Sequence, residues 1–191
     1  MQKGNKVLTL GLLILTGLPQ WAYSKTLDSV QMPEKVKVGT RPLVLNGMGT
    51  RKATFLKVKV YVAGLYLESP SKDPSQILDS NQFKRLDMQF VHDAPVEKIN
   101  SAWSDSFKVN CKTQCEELRP SLEKLNGFMA SMKENDRMLF TFYPDALEIR
   151  VKDQPPQRIE GKEFQRIILA TWLGAEPPNE SLKTGLLGLE S

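Results

Sequence analysis

The chain has one histidine, His92, in 191 residues, and that scarcity removes most common catalytic designs. A nucleophile–imidazole pair needs its base close by, and a zinc centre wants about four nitrogen or sulfur ligands. No metal site and no cofactor are therefore expected. There is no G-x-S-x-G elbow, no H-E-x-x-H pair and no phosphate-cradling glycine loop leading into a helix. Neither charge sign dominates: 26 basic side chains against 22 acidic ones leave +4, too little to argue for nucleic acid or an anionic membrane surface. Long apolar runs are missing too. The longest, Val7–Leu18, has twelve residues, and a membrane-spanning helix needs about 20.

That short run nevertheless has a meaning. Lys3 and Lys6 precede it, Pro19 follows it, and Ala22-Tyr23-Ser24 supplies a small-x-small site. These are the three regions of a secretory signal peptide. Residues 1–24 are expected to be a leader cleaved after Ser24, and residues 25–191 a single exported domain in the bacterial periplasm with no stable membrane anchor. Without Lys3 and Lys6, 24 basic side chains face 22 acidic ones, so the mature charge is near +2. Two cysteines in such a compartment should be oxidised. Cys111 and Cys115 are four apart. Thr113 followed by Glu116 has capping-box spacing, which would leave Cys111 before a helix and put Cys115 in its first turn. A structural clip and a redox-active pair both fit. A bridge closing so short a loop contributes about 2 kcal/mol at best.

Periodicity along the chain points to an α+β domain. Glu34–Val38, Leu43–Leu45 and Arg85–His92 read as strands, the last with Leu86, Met88 and Phe90 on one face. Asp73 and Pro74 open a short helix with Ile77 and Leu78 inward. Three-four spacing of Val96, Ile99, Trp103 and Phe107, and of Leu122, Leu125 and Met129, predicts two helices, with Pro120 kinking the second or marking its start. Arg137–Tyr143 and Leu147–Val151 read as a hairpin around Pro144-Asp145, and Arg158–Glu160 as a further strand. Glu163–Leu173 is a strongly apolar helix stopped by Gly174. Asn179 caps a last one, Glu180–Leu187. Strands, helices, strands, helices in that order suit one antiparallel sheet with helices on a face.

The candidate site lies between Leu45 and Glu68. Asn46-Gly47-Met48-Gly49-Thr50 reads as a tight turn needing positive φ, presenting Arg51 before a long strand. On that strand Val58, Val60 and Val62 alternate with Lys57, Lys59 and Tyr61, and from Tyr61 onward both faces become apolar. Tyr61 thus stands where a lysine-bearing face becomes buried, with a hydroxyl needing a partner, and Arg51 is the nearest one. A guanidinium offers a fork to a carboxylate or phenolate, a phenol adds a donor, and apolar surroundings suit a tail. The set fits an amphipathic ligand with one anionic end.

At these residues the chain resembles the chalcone isomerase superfamily, and more closely its bacterial, exported chalcone isomerase-like branch. The resemblance is carried by Gly47-Met48-Gly49-Thr50-Arg51, by Lys59-Val60-Tyr61-Val62-Ala63-Gly64-Leu65-Tyr66-Leu67-Glu68, by Phe164 through Gly174 and by Leu182 through Gly188. It implies an open-faced sandwich, a large antiparallel sheet with a helical layer on one face and a ligand cleft between them. In plant chalcone isomerases an arginine in the glycine turn, a threonine on the next strand and a hydroxyl residue on the late helix act on the substrate. Arg51 and Thr171 match the first and last, Tyr61 replaces the threonine, and the family's helix tyrosine and asparagine have no counterpart in Pro95–Asp105.

An arginine and a tyrosine so placed resemble the non-catalytic fatty-acid-binding branch. The first expectation is therefore a binding protein for a fatty acid or similar amphipathic anion. Arg51 and Tyr61 would hold the head, Thr171 would add a polar contact, and Lys57 and Lys59 positive potential at the mouth. The alternatives are an intramolecular lyase or isomerase acting on an enone or phenolic compound through Arg51, Tyr61 and Thr171, and a protein with a vestigial, filled cleft that works through protein contacts. The expected partner is a small amphipathic molecule, not nucleic acid.

Overall fold

The computed structural model describes residues 23–53 and 56–189. The expected leader lies outside the described residues as far as residue 22, and so does the link at 54–55. Within them the order is β1 (Ser24–Leu27), β2 (Val30–Pro33), β3 (Lys35–Val38), β4 (Arg41–Ala53), β5 (Val58–Leu67), α1 (Pro74–Asp79), β6 (Lys84–Phe90), α2 (Val96–Asn110), α3 (Cys115–Phe128), β7 (Arg137–Phe142), β8 (Ala146–Val151), β9 (Gln157–Glu160), α4 (Lys162–Leu173) and α5 (Glu180–Leu186). Strands β3 to β9 form one antiparallel sheet in chain order, while β1 and β2 pair only with each other. The sheet curls, so that Lys37 and Val38 at one edge line the same hollow as Leu139 on β7 and Glu148 on β8.

Period-two alternation divides the sheet into two faces. On the covered face Ala63, Leu65 and Leu67 of β5, Leu86, Met88 and Phe90 of β6, and Met138, Phe140 and Phe142 of β7 join one core with the helices. Helix α4 is its centre. Phe164, Ile167, Ile168, Leu169 and Trp172 are all at most 1% exposed, and side chains of this size contribute about 1.5–3 kcal/mol each when buried. The Trp172 ring meets Trp103 and Phe140 edge-on, each at 5.5 Å. The open face carries small clusters instead: Val62 with Val30 and Met32 of the β1–β2 hairpin, and Tyr66 with Val38 and Leu43.

The expected glycine turn is absent. Residues 46–50 are the middle of β4, with Gly47 opposite Leu65 and Gly49 opposite Ala63, and neither glycine has positive φ. Their purpose is close approach. A Cβ on Gly47 would land on the Gly185 carbonyl, and one on Gly49 would lie 2.5 Å from the Leu182 oxygen, so only bare backbone lets α5 lie flat on β4. Asn46 secures the far end of α5, donating to the Leu186 carbonyl at 2.9 Å.

Two further expectations change. No capping box forms at Thr113, because Gln114 takes the N-cap position of α3 in a left-handed conformation at φ 56° without a side-chain cap. Pro120 neither starts nor ends α3, which runs through it from Cys115. The Cys111–Cys115 disulfide is formed, with Cα atoms 5.8 Å apart, and links the end of α2 to the start of α3.

Candidate functional site

Arg51 and Tyr61 are direct cross-strand neighbours on β4 and β5. Both lie on the face that carries Gly47, Gly49 and Ala63 against the helices. A bulge just beyond them sets their surroundings. The register jumps from Arg51–Tyr61 to Lys52–Lys59, leaving Val60 as the extra residue. Val60 and Tyr61 consequently both pack against the main core.

The same bulge turns Lys59 away. Lys59 points to the open face, where its ammonium pairs with Asp28, the acceptor also of the Thr50 hydroxyl at 2.5 Å. Lys57 is an exposed turn residue at φ 55°. The inserted residue thus turns Lys59 off the Arg51 face, a reversal that the sequence alternation could not register.

The half-buried Arg51 guanidinium is held by oxygens that carry no net charge. Its Nη1 donates to the Lys52 carbonyl, to the Pro178 carbonyl at 3.2 Å and, at 3.5 Å, to Asn179 Oδ1. None of the ion pairs among the described residues includes it. Asn179 does more than begin α5. Its side chain makes no cap and instead accepts from the Lys52 amide at 3.2 Å and donates to the Thr50 carbonyl at 3.3 Å. It thereby fixes the segment that carries the Pro178 carbonyl over Arg51.

The partner of the Tyr61 hydroxyl is Trp172, not Arg51: the indole N–H donates to it at 3.0 Å. Burial raises the phenol's pKa above its ordinary value, and the Trp172 bond and the Arg51 charge pull it back only in part. Tyr61 is thus a neutral phenol whose oxygen is occupied as an acceptor, and among the described residues its own proton has no acceptor. Its ring tilts against Phe90 at 5.6 Å between centroids. Thr171 turns elsewhere, its hydroxyl 2.7 Å from that of Ser106 on α2, which also accepts from Asn110 at 3.1 Å.

Of the five candidates, the structure therefore brings together Arg51 and Tyr61 and turns Thr171 and Lys59 to other partners, with Lys57 in the exposed turn before β5. Trp172 and Asn179 were missed as site residues. The signal for Trp172 was present, since a buried indole N–H needs an acceptor, whereas nothing in the sequence distinguishes Asn179 from an ordinary N-cap. Two hollows, of ≈ 190 and ≈ 550 Å³, lie on the open face, away from this pair. Beside Tyr61 on the covered face stand Phe90 and Trp172, and the Trp172 ring packs in turn against Trp103 and Phe140.

A family model described as chalcone isomerase-like matches residues 24–188. The fold is similar to the crystal structure of a fatty-acid binding protein of Arabidopsis thaliana, with a TM-score of 0.71 and 16% identity over 86% of this chain and 96% of that one. No curated protein matches the sequence.

Proposed function

This chain belongs to the chalcone isomerase-like family, and from that premise we propose that it is an exported protein binding a fatty acid or similar amphipathic anion between sheet and helices, with Arg51 and Tyr61 at the head group. One observation carries the reading. A half-buried guanidinium without a carboxylate stands directly opposite a neutral phenol with an uncommitted proton. Together they offer a carboxylate a charged fork and a second donor. The chain of the ligand would run along the apolar layer between β5 and α4, displacing the Trp172 ring from Tyr61. The similar fold of a fatty-acid binding protein supports the ligand class. The leader-like start and the disulfide support export.

Delipidated protein titrated with a fluorescent fatty acid, and then with palmitate as competitor, tests the proposal. A hydrogen bond to a charged group contributes about 1.5–3 kcal/mol, so Arg51→Ala should weaken binding about 10- to 100-fold and Tyr61→Phe by less. No saturable binding, or unchanged affinity in Arg51→Ala, overturns the reading.

A further inference from the structure

Charge collects on the face of the sheet that the helices leave open. Asp87 on β6 is 2% exposed there and is taken by Arg137 of β7 through two bonds, Nε to Oδ1 at 3.2 Å and Nη2 to Oδ2 at 2.8 Å. Arg85, two residues along β6, is left with one long contact to the same carboxylate at 3.4 Å. Its Nε is buried with no hydrogen-bond partner. Tyr66, paired with Arg85 across β5 and β6 and so on the same face, has a buried hydroxyl that also lacks a partner. Burial, and then the Asp87 charge, push that phenol far up, so it stays a donor. Buried donors without acceptors are rare enough in folded proteins to need a cause.

Next to them is the hollow of ≈ 190 Å³, lined by Lys37, Arg85, Thr141, Glu148 and Arg150 among others. Arg150 takes part in no ion pair among the described residues. Two guanidinium groups from two strands, Arg85 of β6 and Arg150 of β8, thus share the hollow with one carboxylate, Glu148. Gly39, at φ 57° in the β3–β4 turn, lines the hollow with no side chain of its own. We propose that this hollow binds a phosphate group, free or at the end of a larger molecule, through Arg85 and Arg150 with the Thr141 hydroxyl as a neutral donor. Cationic groups converging from different strands suit a tetrahedral oxyanion that accepts from several directions better than a flat carboxylate. Glu148 opposes the anion and limits its affinity.

Isotope-labelled protein titrated with inorganic phosphate, and separately with phosphatidylglycerol and phosphatidylcholine vesicles, tests the proposal by amide chemical shifts. The expected result is saturable shifts confined to residues 37–39 and strands β6–β8. Affinity should fall about tenfold or more in Arg150→Ala, whose side chain is exposed and can be removed without harm to the core. It should rise in Glu148→Gln and stay unchanged in Arg51→Ala, which separates this site from the one proposed above. Binding of free phosphate alone assigns a soluble phosphate, and selective binding of phosphatidylglycerol vesicles assigns a head group; either supports the proposal. No saturable shifts with either probe, or shifts that persist undiminished in Arg150→Ala, overturn it.

Discussion

Lys84 and Asp87 are three residues apart on β6 and almost equally buried, at 1% and 2% exposure, but they fall on opposite faces of the sheet. Asp87, on the open face, lies between two guanidinium groups. Lys84, on the covered face, has no ion pair among the described residues and donates to the Ser80 carbonyl at 2.7 Å. Burial, with help from the Lys162 charge, pulls its amine down to about 8, while Asp79 and Glu68 oppose this from a distance. The buried charge of Asp87 is paired, whereas that of Lys84 is held only at a cost. Arg51 belongs to the second class, a cation under the helices with carbonyls in place of a counter-ion, and that is the reason it reads as a binding residue.

The comparison can be broken at either residue. The largest effect is expected at Asp87. Asp87→Asn leaves Arg85 and Arg137 without their shared charge and should cost about 3–4 kcal/mol in denaturant unfolding, in the range for breaking a buried pair. Lys84→Met should move the other way. A lysine lowered from 10.5 to about 8 carries a penalty of about 3 kcal/mol at neutral pH, so the variant should gain up to about that much.

The sign of the pH dependence follows. Between pH 8 and 10 the unfolded chain holds a proton on Lys84 that the folded chain has released, so stability rises with pH in the wild type. In Lys84→Met that rise should vanish. A flat wild-type profile over this range would remove the covered-face half of the comparison. The smallest effect belongs to the Cys111–Cys115 bridge, which reports on neither face. Reduction should lower stability by about 2 kcal/mol at most, given the short loop it closes.

Most of the fold was legible because alternation and three-four spacing report burial directly. Leu86, Met88 and Phe90 face the helices as their spacing predicts, and Asp73 caps α1 through the amides of Ser75 and Gln76. The failures share a cause. Gly47 and Gly49 looked like turn residues, but what they accommodate is α5, more than a hundred residues later in the chain. Lys59 was placed beside Arg51 because a strand without a bulge would put it there, and one inserted residue, Val60, reverses its face. At the candidate site Arg51 and Tyr61 were singled out as residues, while their pairing across β4 and β5 and their hydrogen-bond partners were not legible. Trp172 and Pro178 reach the pair from the far end of the chain through tertiary contacts.

If Arg51 and Tyr61 hold a carboxylate, that group itself should report their charge and hydrogen bonds. Fatty acid labelled at its carboxyl carbon, bound to the delipidated protein and followed by NMR as the pH is lowered, should stay ionised to lower pH in the wild type than in Arg51→Ala. A carboxyl signal that titrates identically in both proteins would contradict the claim and leave Arg51 a structural residue clamping the start of α5.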